Sequence, residues 1–392
     1  MKKTAAFLFA ALLLLIPSCG EVSDEPLPHS VRRDGCQIGD MIVLNGFRGR
    51  PNVYSAAFDR PAGLCRDPLC DHSGKDGPCP DYFPGPRFFC TDGEKLYMRV
   101  WNVRKRRDEM PYEIYAFDPL GTEPMTLVCE TENTGNYGTG RMLYADSRYV
   151  YYQNSVYREG ADPNAEFQDA SEQYFEIRRV KKTGGKSEVL FDGLPVSTFF
   201  SVDETRYFLF EYDAESARII DRETGAETAV SFGGLAIADI LSAEGRVFFL
   251  CREPAVSATV TETLYWNPVT VIEYLGNGES RLVAEHADDW AEILWYDGRL
   301  WYAPFVLKFL YTADLPTGRG SETERHDVYV TTDGTLCSAD PETGEVHRYR
   351  CVGEDSEEAG FFGFYGGGSI GVRGTRGEDE IIVKLRLEEI AE

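Results

Sequence analysis

Basic charge is scarce in this chain: 40 Lys and Arg stand against 65 Asp and Glu, a formal net charge of −25 over 392 residues. Nucleic acid and anionic lipid surfaces repel such a chain, so no nucleic-acid partner is expected. Histidine is scarce too, with five scattered at His29, His72, His286, His326 and His347. There is no Gly-x-Ser-x-Gly elbow, no His-Glu-x-x-His pair and no glycine-rich dinucleotide fingerprint, which removes the enzymes those motifs mark. Gly185-Lys186-Ser187 ends like a phosphate loop, but Val180 occupies the place of its first glycine. Beyond Ile16 no apolar run reaches the length of a membrane span. A pair of catalytic carboxylates leaves no sequence signature, so an enzyme stays open as the alternative to a non-catalytic reading.

The first residues carry an address. Lys2 and Lys3 precede an apolar run from Ala5 to Ile16, and Ile16-Pro17-Ser18-Cys19 follows. A basic start, a short apolar core and a small residue before the cut describe an export signal. The small residue followed by cysteine resembles the lipobox of bacterial lipoproteins, although Pro17 and Ile16 depart from its commonest residues. That resemblance implies cleavage after residue 18, lipidation of Cys19 and palmitate-type anchoring on the extracytoplasmic face of the cell membrane. Residues 1–18 are then the signal, and the acidic, proline-bearing residues 19–30 a flexible tether. Residues 31–392 form a single domain, expected to be monomeric.

Abundant Tyr and Phe, 22 and 23, favour strands. A turn followed by an aromatic or apolar strand recurs seven times. It starts at Asp40, Asp92 (Asp-Gly-Glu-Lys-Leu-Tyr), Asp146 (Asp-Ser-Arg-Tyr-Val-Tyr), Asp203, Glu244, Asp297 and Gly367. Further turns follow at Asp59, Asp118, Lys182, Asp221 (Asp-Arg-Glu-Thr-Gly), Gly276 and Asp340 (Asp-Pro-Glu-Thr-Gly). Asp or Asn opens such a turn and Gly accepts its positive φ. The spacing suits four-stranded units repeated radially. The expected fold is all-β, a β-propeller of seven four-stranded blades, with six or eight as alternatives. The last unit, from about Ala359, shows three strands, and a strand near Val31–Cys36 is a candidate to close the ring.

Within a blade whose strands A to D run up and down, the A–B and C–D turns share one face of the disc. The B–C and D–A connections share the other. The tight turns belong to the first set. The long inserts, 66–81, 102–110, 154–173, 252–262 and 304–325, belong to the second. Long loops on a rigid scaffold are where binding residues concentrate.

Ten cysteines are present, and setting Cys19 aside leaves an odd number. Three of them, Cys65, Cys70 and Cys79, lie with His72 in one interblade insert. Thiolates and an imidazole in that number suit a structural zinc. The spacing equally suits a disulfide staple, which an exported location permits. Cys-x-Asp-Pro-x-Cys-x-His followed by Cys-Pro at residues 65–80 is similar to a motif of uncharacterised surface lipoproteins of Gram-positive anaerobes. Those proteins pair a lipobox with a TolB-like or low-density-lipoprotein-receptor-like β-propeller. The resemblance implies an address and a fold, and brings no activity.

Arg104-Lys105-Arg106-Arg107 is the basic cluster of the chain, in a B–C insert beside Trp101. It suits an anionic partner, with a solvated loop balanced by Asp108 and Glu109 as the plainer reading. Trp295 and Trp301 fall in strands, where core packing is expected. The functional expectation is a cell-surface lipoprotein that binds an envelope protein or glycan, or acts as a scaffold. The alternative is an envelope glycan- or peptide-processing hydrolase whose carboxylates converge at the central channel.

Overall fold

The computed structural model describes residues 29–31, 35–39, 41–45, 51–54, 62–65, 69, 79, 87–101, 111–118, 125–132, 143–161, 170–253, 268–287, 293–305, 308–316, 323–330, 335–352, 360–364, 369–376 and 379–390. Apart from one 3-10 turn at Ala170–Glu172, the described elements are strands. The first sheet holds β1 (His29–Val31), β2 (Gly35–Ile38), β3 (Met41–Asn45), β4 (Pro51–Tyr54) and β5 (Ala62–Gly63). The second holds β6 (Arg87–Thr91), β7 (Leu96–Trp101), β8 (Pro111–Phe117) and β9 (Thr126–Glu132). The third holds β10 (Leu143–Ala145), β11 (Tyr149–Tyr157), β12 (Gln173–Lys181) and β13 (Glu188–Leu194). The fourth holds β14 (Thr198–Val202), β15 (Arg206–Glu211), β16 (Ser216–Asp221) and β17 (Glu227–Ser231). The fifth holds β18 (Ala236–Ala243), β19 (Arg246–Arg252), β20 (Val269–Gly276) and β21 (Glu279–Ala287). The sixth opens with β22 (Leu294–Tyr296) and β23 (Arg299–Tyr302). A separate hairpin, β24 (Lys308–Pro316) with β25 (Thr323–Val330), is then inserted before the sheet resumes with β26 (Thr335–Ala339) and β27 (Val346–Val352).

Local chemistry sets the hairpins. Glu244 and Gly245 have φ of 50° and 76°, and Asp297 and Gly298 have φ of 52° and 72°. Two successive positive φ values make the turn whose twist matches antiparallel strands. In the Asp-x-x-Thr-Gly turns, Asp221 Oδ1 accepts the Thr224 amide at 2.7 Å, and Asp340 Oδ1 accepts the Glu342 amide at 2.7 Å.

Each strand presents alternate residues to its two faces, and the apolar ones collect into five layers, each between successive sheets. Cys36, Ile38 and Val43 meet Phe89, Leu96 and Met98 between sheets one and two. Cys90, Tyr97 and Ile114 meet Leu143, Val150 and Tyr152 between two and three. Tyr151 and Ile177 meet Phe200 and Tyr207 between three and four. Phe208 and Phe232 meet Val247 and Phe249 between four and five. Phe248 and Val271 meet Trp295 and Leu300 between five and six. Leu96 and Tyr97, adjacent in β7, therefore serve two different layers. Five cysteines, Cys36, Cys90, Cys129, Cys251 and Cys337, are buried in these layers. Neighbouring sheets pack in succession, β2 on β6, β6 on β10, and β14 on β18. Sheets stacked this way radiate from an axis.

The three C-terminal strands are where expectation and architecture part. β28 (Gly360–Phe364), β29 (Ser369–Arg376) and β30 (Asp379–Glu389) form, but β30 pairs with β27, Tyr349 opposite Glu389 and Val352 opposite Arg386. They extend the sixth sheet to seven strands instead of making a sheet of their own. Among the described residues the sheets thus divide into six radial units, and a count of seven separate blades is not reached. β1 begins at His29 and pairs with β2, antiparallel, while packing near both β6 and β22.

An imidazole sits on the β27–β30 seam. His347 Nδ1 lies 2.6 Å from Glu389 Oε1, and its Nε2 lies 3.2 Å from Glu345 Oε1. The bonds to Glu389 and Glu345 raise the His347 pKa, and Arg299 acts against them. Carboxylates on opposite ring nitrogens suit an imidazolium, not a shared metal. A raised pKa means the added stability is complete below the ordinary value of about 6.5 and fades as pH climbs through the raised one. Amide protection of β30 should therefore fall as pH rises above about 6.5, and His347→Gln should remove that dependence. Identical profiles for the two proteins would refute the role.

Candidate functional site

On the tight-turn face, Asp92 Oδ1 accepts the Glu94 and Lys95 amides at 2.9 and 2.8 Å, and Oδ2 accepts the Tyr97 hydroxyl at 3.0 Å. Asp146 repeats this, with the Arg148 and Tyr149 amides at 2.7 and 2.6 Å and the Tyr151 hydroxyl at 2.5 Å. A cation from the next sheet completes each: Lys182 pairs with Asp92, and Arg222 Nη2 reaches Asp146 Oδ2 at 2.7 Å. Arg246 and Glu342 join sheets five and six on the same face. Burial works to raise the Asp146 pKa. The bonds from Tyr151, from the Tyr149 and Arg148 amides and from Arg222 outweigh it and hold the carboxyl below its usual range. These groups latch neighbouring sheets and have little left over for a ligand.

The opposite ends of sheets two and three differ. Arg99 in β7 is 0% exposed and crosses from the second sheet to the third. Its Nη1 donates to the Gln153 carbonyl and its Nη2 to Asn154 Oδ1 at 3.0 Å. The guanidinium lies 4.7 Å from the Tyr112 ring centroid and 5.3 Å from that of Tyr152. Its Nε–H has no hydrogen-bond partner. Just past the loop-rich end of β11, exposed Arg158 lies over the Tyr174 ring at 5.5 Å, while Arg178, opposite Tyr152 and toward the tight-turn end, donates from Nε to Glu176 Oε2 at 2.6 Å. Glu176 and Asp192 are the carboxylates felt by Tyr174. Arg158 and Arg178 thus face Glu176 and Asp192 around the Tyr174 ring.

At the axis, β18 carries an irregularity between Ile237 and Asp239. Such a bulge re-aims the side chain it carries, and Asp239 is exposed. It is the one carboxylate among the described residues of β2, β6, β10, β14, β18 and β22. Burial raises the Tyr144 pKa first and Asp239 adds to it, while a bond from Ser201 opposes them. The hydroxyls of Ser201 and Ser242 are 3.2 Å apart. This wall offers hydrogen bonds. A two-carboxylate hydrolytic pair would need its second acid from a connection.

The residues singled out from the sequence fall as follows. Trp101 ends β7, with its backbone paired to Tyr112. Arg104, Lys105, Arg106 and Arg107 lie in the connection from β7 to β8, outside the described residues, as do Cys19, Cys70 and His72. Cys65 is half-buried and Cys79 buried. Trp295 is core: it stacks on Phe248 at 5.4 Å and donates to Glu244 Oε2 at 2.7 Å. Trp301 is buried and donates to the Tyr296 carbonyl at 3.1 Å. Sequence reasoning missed Arg99, because a single arginine in an apolar strand looks like any outward-facing one. Its position two residues before Trp101, on the face shared with Tyr97, was the available signal.

No protein-family model matches the chain, and no curated protein is similar to it. Among solved structures, it is similar to an oligogalacturonate lyase in complex with manganese, with 11% identity and a TM-score of 0.52 over 92% of this chain and 91% of that one. The fold is a β-propeller. The propeller domain of the Trilobed protease from Pyrococcus furiosus, described as having an open velcro topology, is 12% identical with a TM-score of 0.35. That match covers 82% of this chain and 95% of the domain. The GH93 alpha-L-arabinofuranosidase of Fusarium graminearum with arabinobiose is 10% identical, with a TM-score of 0.36 over 77% and 91%. The likeness to the lyase, at 11% identity, shows the fold and no activity. The successive sheets of the described residues are its blades.

Proposed function

We propose that this protein is an exported, lipid-anchored propeller that binds an anionic component of the cell envelope on its loop-rich face. The reading rests on one observation. In a chain of net charge −25, Arg158 stands exposed just past the loop-rich end of β11 in the third blade. The connection bearing Arg104, Lys105, Arg106 and Arg107 springs from the same end. The axis, with Asp239 as the carboxylate of its inner strands, favours binding over hydrolysis. Anchoring through Cys19 supplies the location, since an acidic surface cannot hold an anionic membrane by charge.

Two variants test the two halves. Cys19→Ala should move the mature protein into the culture medium and abolish lipid labelling; labelling that persists sinks the anchor. Reversal of Arg104, Lys105, Arg106 and Arg107 to Glu should weaken binding of the soluble domain to isolated envelope by about tenfold at low salt, the sum of several partly exposed charge contacts. Raising the salt should shrink the difference. Unchanged binding at low salt would remove this face from the proposal.

A further inference from the structure

We infer that the buried layer between blades two and three holds a small monovalent anion against the Nε edge of Arg99, as an internal site separate from the partner surface. A guanidinium stays protonated in proteins, so burial cannot remove its charge by deprotonation. Arg99 is fully buried, and burying a charge without a counter-charge is costly. The groups that act on it electrostatically are Tyr152, Tyr112 and Cys129, after the larger effect of desolvation, and no Asp or Glu is among them. Burial pushes the Cys129 thiol up to about 11 and the Tyr152 hydroxyl up to about 12, so both stay neutral at physiological pH.

The neutral contacts offset part of the cost. Two ring faces and the Gln153 carbonyl stabilise a cation, and Asn154 Oδ1 adds a dipole. None of these carries a net charge. Nη1 and Nη2 each spend one N–H on these bonds, and among the described residues the Nε–H has no partner. A short donor edge beside aromatic walls, deep in a buried layer, suits a compact monovalent anion, a halide or a small carboxylate, more than a bulky polyvalent one. A lone water would satisfy the hydrogen bond but leave the charge.

The test is thermal unfolding of the full mature chain at constant ionic strength in sodium gluconate, sodium chloride or sodium acetate. An anion that binds only the folded state raises Tm by mass action. The expected rise over gluconate is about 2–4 °C, saturating with concentration. A rise in chloride identifies a halide site, and a rise confined to acetate a carboxylate site. Asn154→Asp places a carboxylate beside Nη2. It should raise Tm in gluconate and flatten the anion dependence. Arg99→Met should remove the dependence as well; should it fail to fold, Asn154→Asp still decides. Equal Tm in all three salts overturns the site, and so does an undiminished anion dependence in Asn154→Asp. Neither result touches binding by the Arg104–Arg107 connection, so the two proposals fail separately.

Discussion

Arg222→Met is expected to destabilise the protein by about 3 kcal/mol at pH 7, the lower end of the range for breaking a buried ion pair. The side chains of Arg222 and Asp146 are 6% and 4% exposed. Arg222 Nη2 also meets the Tyr151 hydroxyl at 2.6 Å, and Arg222 donates to the Asp203 carbonyl. Methionine keeps much of the packing and removes all three bonds, leaving Asp146 charged and buried without its cation. The pH dependence follows from the carboxyl. In the wild type its folded pKa is depressed, so the stability it contributes is present above the unfolded value of about 3.9 and disappears as pH falls through the lower folded value. In the variant the carboxyl protonates more readily, and the penalty should shrink below about pH 4. Urea unfolding of both proteins at pH 7 and pH 3 measures this. A penalty below 1 kcal/mol at pH 7, or one that grows in acid, would show that the latch contributes little.

That latch also marks where the sequence stops being legible. The Asp92 and Asp146 turns could be read directly, because Asp followed five residues later by Tyr recurs, and an Asp side chain that accepts its own turn amides is a local interaction. That Lys182 and Arg222 complete these turns from the following blade could not be read. The partner lies about 75 to 90 residues away, and such distances leave no periodic trace. The seven strands that follow the recurrent turns form, as β3, β7, β11, β15, β19, β23 and β29, because aromatic and β-branched residues in alternation select the pleated state whatever their neighbours. The fate of β28, β29 and β30 was hidden for the complementary reason. A three-stranded meander has the same local pattern whether it stands as a blade or extends one, and only the pairing of β27 with β30 separates the two. Arg99 shows the same limit at the candidate site. Its residue type advertised exposure, while the strand's alternation placed it on the face of Tyr97, inside an interblade layer.

Those layers make a second large effect predictable. Phe249 in β19 is fully buried and meets rings from both of the blades it joins. Phe232 lies at 4.8 Å and Phe208 at 6.2 Å from the fourth blade, and Tyr274 at 6.3 Å within the fifth. Phe249→Ala removes the shared ring and should cost about 3–5 kcal/mol, transfer and cavity effects together, because the flanking sheets cannot collapse without breaking their ladders. How the loss is distributed tests whether residues 31–392 act as one ring. With Trp101, Trp266 and Trp290 replaced by Phe, Trp295 and Trp301, beyond the site in the sixth blade, report that blade by fluorescence, while far-ultraviolet circular dichroism reports every sheet. In a single cooperative unit both signals unfold together in the variant, at a midpoint shifted equally for each. A circular dichroism transition that precedes the tryptophan transition would mean that the fourth and fifth blades separate from the sixth, and that the single-domain reading is wrong.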